Sequence, residues 1–144
     1  MLVSRTGLLS ALAVLAVPAA LLALPGAGRA SEFEKSLVAG EYPGLWHGNN
    51  VKFIFEKVRP DGTFTGVIRF GKDTPWPDYT TAFGGRVERD GSITINRDPK
   101  TDRQTSKAGP PRREKGHLLW EGKTTGDDLD PNTNYPFQLR VPIR

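Results

Sequence analysis

The sequence predicts an all-β fold: an antiparallel up-and-down barrel, or flattened barrel, of about seven strands preceded by one short helix. Three observations lead there. From Val51 onward apolar residues recur with a period of two, so each run has one apolar face, as a sheet wrapped around a core requires. Asp61-Gly62 and Asp90-Gly91 each stand between two such runs, the arrangement of a hairpin. The chain has no cysteine, so packing alone must hold the domain, and disulfide scaffolds, thiol catalysis and Cys-ligated zinc are excluded.

The first thirty residues are of another kind. Arg5 is the only charge before Arg29, and "GLLSALAVLAVPAALLALPGAG" lies between them. A basic start, an apolar core from Leu8 to Leu24, and Gly28 and Ala30 ahead of Ser31 are the three parts of a cleaved secretory signal. Pro18 interrupts the apolar stretch, which is short of the roughly 20 residues a membrane span needs. The layout read from the sequence is therefore a signal peptide over 1–30, a short helix and linker over 31–43, and a barrel domain over 44–144. Cleavage leaves 114 residues, one domain with a modest core, that is periplasmic or secreted and no integral membrane protein. Its eighteen basic side chains nearly balance sixteen acidic ones, which gives no reason to invoke nucleic acid.

Taken in order, "SEFEKSLVAGEYP" has the marks of a helix of about two turns. Ser31 and Glu34 have capping-box spacing, Phe33 and Leu37 share a face, and Gly40 can end it. "GLWHGNN" opens the first strand. In "VKFIFEKV" Val51, Phe53 and Phe55 alternate with Lys52 and Glu56; in "TFTGVIRF" Phe64, Gly66, Ile68 and Phe70 share a face. Phe83, Gly85 and Val87, then Ile93 and Ile95, then Leu118 and Trp120, then Phe137, Leu139 and Val141 continue the pattern. Short echoes ("DGTFT" and "DGSIT"; "GLWHG" and "LLWEG") read as recurrent hairpin grammar or a faint duplication. Two connections are long: "GKDTPWPDY" over 71–79, and the polar segment 97–116 with seven Lys and Arg, read as a mobile loop.

Gly44, Trp46, Asp61, Gly62, Phe64 and Gly66 follow an order that resembles the start of calycin-type barrels, the group containing lipocalins and avidins. That resemblance implies that Trp46 closes one end of an up-and-down barrel holding a small ligand in its mouth. Two features depart from it. The late basic residue that lipocalins set over this Trp has only Arg140 as a candidate, and alternation points Arg140 outward. Nothing matches the biotin contacts of avidins, so no ligand carries over.

Trp76, held between Pro75 and Pro77, is the leading candidate for binding, because a rigid aromatic loses little entropy when it stacks. Its competing role is a lid on the barrel end. Arg69, Tyr79, His117 and Trp120 complete the candidate ligand-binding set. Trp46 and His47, as strand neighbours, point to opposite faces and form no joint wall. Asp128, Asp130, Asn132 and Asn134 alternate like the start of a calcium loop, but Thr133 stands where that loop needs Gly and Leu139 where it needs Glu. The same residues suit a plain loop. The segment "PPRREKG" suits anionic partners or solvent.

No nucleophile elbow, phosphate loop or zinc-protease motif is present, and no cofactor is implied. The expectation is an exported, non-catalytic protein binding a small apolar or amphipathic ligand or a glycan at the barrel mouth. A ligand inside the barrel needs a cavity of about 300 Å³ or more. The alternative is a protein-interaction module, an inhibitor or envelope-assembly factor acting through its long loops. A third class, a hydrolase or isomerase, needs titratable side chains in the interior.

Overall fold

A computed structural model of the protein describes residues 35–98 and 103–144; the segment 1–30, read as a signal peptide, and residues 31–34 lie outside the described residues. The nine strands are β1 (Gly40–Trp46), β2 (Asn49–Val58), β3 (Thr63–Phe70), β4 (Thr80–Val87), β5 (Ile93–Arg97), β6 (Gln104–Ala108), β7 (Arg112–Glu114), β8 (His117–Gly126) and β9 (Pro136–Pro142). All pairings are antiparallel. β1 to β6 form a meander, β6 pairs with β8, β8 with β9, and β9 returns to β1, so eight strands close a barrel. β7 stays outside, in line with β6 along one edge of β8: Ala108 faces Gly122 and Arg112 faces Leu119.

Two expectations are corrected. The barrel has one strand more than the alternation revealed, and the segment read as a mobile loop supplies it as β6, with β7 after it. The inward side chains of β6 are Gln104, Ser106 and Ala108, so the strand has no apolar face to read. The barrel also starts earlier than Gly44, because Glu41, Tyr42 and Pro43 belong to β1 rather than to a linker. The expected N-terminal helix lies partly outside the described residues: Lys35 and Ser36 have helical backbone, and Leu37 is buried against the core.

Rings fill the interior. Trp46 packs edge-on to Phe53 and Phe137 at 6.3 and 6.4 Å, Phe53 to Phe83 at 6.0 Å, and Phe83 to Phe55 at 5.1 Å. Phe55 reaches Phe64 at 4.9 Å and Tyr42 at 5.7 Å. Edge-to-face contacts suit the ring quadrupoles and bury large area in a small volume. The rings fit because β3 and β4 give way: a Cβ on Gly66 would lie 2.8 Å from the Phe83 ring, and one on Gly85 would lie 2.8 Å from Phe64. The apolar-face residues Phe53, Phe55, Phe64, Ile68 and Phe83 are all buried in one core cluster.

A tryptophan plugs each end. Trp46 lies at the end carrying the β1–β2, β3–β4 and β8–β9 connections, and its indole N–H donates to Gln104 Oε1 at 3.1 Å. Trp120 lies at the opposite end, where its N–H donates to the Gly91 carbonyl in the β4–β5 turn at 2.6 Å. Both Asp-Gly pairs make the hairpins expected of them, as three-residue loops. Gly62 N–H returns to the Arg59 carbonyl and Gly91 N–H to the Glu88 carbonyl, with the glycines at φ +90° and +93°. Asp61 accepts from the backbone and hydroxyl of Thr63, and Asp90 from those of Ser92, so the two echoing motifs share one geometry.

Gln104 is the part of this frame most exposed to a single change. Gln104→Leu keeps the volume but leaves the buried Trp46 N–H without an acceptor, so it should destabilise the fold by about 1–3 kcal/mol. Urea denaturation should show a lower midpoint with an unchanged slope; an unchanged midpoint would show that the bond contributes nothing.

Candidate functional site

The β3–β4 connection, residues 71–79, is tightly wired. Gly71 N–H donates to the Asn50 carbonyl, Thr74 N–H and Oγ1 both donate to the Gly71 carbonyl, and Trp76 N–H donates to Thr74 Oγ1. Pro77 and Asp78, the latter at φ +62°, then form a turn in which Tyr79 N–H returns to the Trp76 carbonyl. Proline second and a left-handed residue third is the pattern of a type II turn. The turn puts Trp76 and Tyr79 on the same support: their rings pack on Phe70 at 5.7 and 5.8 Å. Both remain about half exposed, at 49% and 52%, and they are the only large apolar side chains so exposed among the described residues. Trp76 therefore caps Phe70 with one side of its ring and presents the rest.

Beside this platform a groove of about 440 Å³ opens on the outside of β1–β3, lined among others by Pro43, Asn50, Lys52, Arg69, Phe70, Lys72 and Asp78. Lys52 and Arg69 are direct cross-strand partners on its floor. Glu41 lies 3.7 Å from Lys52, and no ion pair or hydrogen bond engages the Arg69 or Lys72 side chain among the described residues. One oxygen of the nearby Asp73 carboxylate accepts from Asn50 Nδ2 at 2.7 Å, and the carboxylate keeps its charge beside the groove. A second groove, of about 430 Å³, lies at the opposite end between Leu37–Ala39 and the β2–β3 turn. None of the central rings lines either groove.

Of the residues singled out by sequence, Arg69 lines this groove, while Trp76 and Tyr79 share the Phe70 support beside it and do not line it. Trp120 and His117 do not join them. Trp120 is fully buried at the far end, and His117 starts β8 there, with Nδ1 against the Lys115 carbonyl at 3.1 Å. Asn50, Lys52, Phe70, Lys72 and Asp78 were missed. They were split between a strand, read for its inward face, and a loop, read for its Trp.

The acidic alternation of 128–134 works as a loop. Asp130 accepts from Asn132 N–H and from the Thr133 hydroxyl, and Asp128 accepts from Gln104 Nε2 at 3.2 Å. No cluster of three His, Asp or Glu suited to a metal occurs among the described residues. The segment "PPRREKG" is structured: Arg112 pairs with Glu114 and Glu121, and Arg140, facing outward as alternation requires, pairs with Glu114 at 2.8 Å.

His47 is not a strand neighbour of Trp46, as its position in the sequence suggested. At φ +58°, followed by Gly48 at +81°, it begins a two-residue turn. Its ring rests on Tyr135 at 4.3 Å. Burial first, and then the Arg97 guanidinium, push its pKa below the usual imidazole range, against the opposing pull of Asp128. The bond from Gln104 holds the Asp128 carboxyl below its own usual range, so that carboxylate stays charged beside His47 well into acid.

Comparison with protein-family models, with curated proteins and with solved structures finds no match. The chemistry of the groove is read from its own residues.

The His47 environment makes a signed prediction. The fold holds the imidazole neutral, whereas the unfolded chain takes its proton at about pH 6.5, so this contribution is present above that pH and lost as pH falls through it. Asn tolerates the left-handed backbone. His47→Asn should therefore make the fall in Tm between about pH 7.5 and 5.5 shallower, and an unchanged slope would contradict the account.

Proposed function

We propose that this is an exported, non-catalytic binding protein whose site is the groove beside Trp76 and Tyr79, on the outside of the barrel end. A small amphipathic ligand or a glycan is the class it fits. The observation that carries the reading is the pair of half-exposed rings fixed on Phe70 by a hydrogen-bonded, proline-braced loop. Such a platform is built before the ligand arrives, so binding orders little else.

Several features support the other parts of the reading. The export signal over 1–30 supports an extracytoplasmic ligand. The buried side chains of the described residues include no carboxylate, imidazole, amine or guanidinium, which favours binding over acid–base chemistry. Outward positions such as Lys52, Arg69, Arg86, Lys107 and Glu121 are charged and the interior is apolar, the reverse of a barrel facing lipid. The meander closed between first and last strands, with Trp46 at one end, is what the resemblance to calycin-type barrels implies and supports that reading, with the ligand outside the barrel rather than within. The interaction-module alternative keeps Trp76 but loses its second loop, since deleting 97–116 would remove β6 from the barrel.

Protein isolated gently from its own host should carry a stoichiometric extra mass in native mass spectrometry. Trp76→Ala should lose that mass at a cost of about 1–2 kcal/mol in stability, the half of the ring buried on Phe70, with the protein still folded. Wild-type protein that arrives bare, or a variant that keeps the mass, would remove the site from consideration.

A further inference from the structure

The second groove, at the end away from Trp76, is apolar in its walls. It measures about 430 Å³, and Leu37, Val38, Ala39, Val58, Pro60 and Val87 line it. Val58 pairs with the inward-facing Phe64 and packs against the core, yet it is only partly buried. The rim carries Glu56, Lys57 and Arg59, and Asp61 lies close enough to Arg59 to feel its charge. Both signs are present there, so the groove selects for apolar content and not for charge. Independently of the Trp76 reading, we infer that its occupant is the chain's own N-terminal segment: residues 31–34 dock back onto the barrel, and Phe33 fills the groove.

Position favours this occupant. The chain enters the described residues at Lys35, two residues before Leu37, which is buried in the groove wall. The entry is fixed on two sides: Tyr42 Oη donates to the Val38 carbonyl at 2.7 Å, and Arg144 N–H donates to Ser36 Oγ at 3.3 Å. Lys35 and Ser36 have helical backbone, and one turn further back that backbone sets Phe33 on the face of Leu37, about 5–6 Å from it. Phe33 is the only aromatic residue before Tyr42, and its neighbours Ser31, Glu32 and Glu34 are polar. It is the one side chain of the segment that gains by leaving water. A tethered side chain is also present at an effective concentration in the millimolar range, which a free ligand must exceed. A second copy of the chain is a poorer fit. The large exposed apolar side chains among the described residues, Trp76 and Tyr79, are at the other end, so the groove lacks the surround of roughly 800 Å² per partner that a stable dimer needs. With Phe33 in place, the groove beside Trp76 is the one left open to an external ligand.

The absence of cysteine makes the test clean, because an introduced pair has no competitor. In protein exported by its own host, Phe33→Cys is combined in turn with Val58→Cys and with Pro60→Cys. At least one pair should close a disulfide within the monomer under mild oxidation, since only neighbours a few ångströms apart can be bridged. Phe33→Cys with Glu41→Cys, on the exposed face of β1, should stay reduced. Phe33→Ala should lower Tm by about 4–10 °C and let the groove take up an apolar dye, anilinonaphthalene sulfonate, that the wild type does not bind. Phe33→Leu should keep most of the Tm and exclude the dye. Equal cross-linking at Glu41, or a Phe33→Ala variant with unchanged Tm and no dye uptake, would overturn the proposal. Disulfide-linked dimers in place of monomers would give the groove to a second copy. A host-derived mass that survives Trp76→Ala but is lost with Val58→Lys would give it to an external ligand, and either result overturns the self-docking. Loss of that mass with Trp76→Ala bears on the Trp76 groove alone.

Discussion

Eight strands close around an interior just wide enough for side chains to fill, and in this chain the filling is aromatic. Much else follows from that choice. Rings need room that a uniformly large lining would deny them, and Gly66 and Gly85 provide it beside Phe83 and Phe64. Indoles at the two ends bring buried N–H groups that must be paired, and the acceptors come from elements the apolar pattern does not announce: the Gln104 side chain on β6 and the Gly91 carbonyl of a turn. Without disulfides the closure between β6 and β8 depends on the ladder and on inward groups such as Ser106 and Thr124, whose hydroxyls meet at 2.7 Å. The polar stripe on β6 is thus the complement of the aromatic core.

A packed interior also decides where a ligand can sit. Room for a ligand is left only at the rim and the outer wall, and the connections around the Trp46 end differ in what they offer there. The β1–β2 turn is two residues, the β8–β9 loop spends its carboxylate Asp130 on its own backbone, and Asp128 is tied to Gln104. Among the described residues, the β3–β4 loop alone combines rigidity with exposed apolar surface, because prolines on either side of Trp76 and the anchor on Phe70 hold both rings half out of the fold. The lid and binding roles weighed for Trp76 are therefore two sides of one ring.

Much of the architecture was legible from alternation and turns. β2, β3, β4, β5, β8 and β9 each carry an apolar face, and both Asp-Gly hairpins formed where those residues stand. β6 was hidden because its inward residues serve other side chains instead of the core. The start of β1 was hidden because Pro43 faces out and Tyr42 is the one apolar residue buried before the Trp. Of the site, the Trp76, Tyr79 and Arg69 portion could be reached from exposure arguments. That Trp120 and His117 lie at the other end has a simple cause: sequence assigns a residue to a strand end but does not say which end of the barrel that strand end reaches.

One part of the site was present in the numbering and could have been extracted. In β2 the apolar residues facing inward are odd-numbered, Val51, Phe53 and Phe55; in β3 they are even-numbered, Phe64, Ile68 and Phe70. The hairpin bond from Arg59 N–H to the Thr63 carbonyl pairs odd with odd. Carried along the strands, that register would set Lys52 against Phe70 and bring inward residues opposite outward ones, exposing half the core. One extra residue on one strand is the only way to satisfy both the turn and the two apolar faces. The structure has it, a bulge between Phe55 and Lys57 that leaves Glu56 unpaired. Beyond the bulge Lys52 falls opposite Arg69, both outward, beside the loop that carries Trp76. The juxtaposition of cations that marks the groove is thus a consequence of the same phase conflict that the core must resolve.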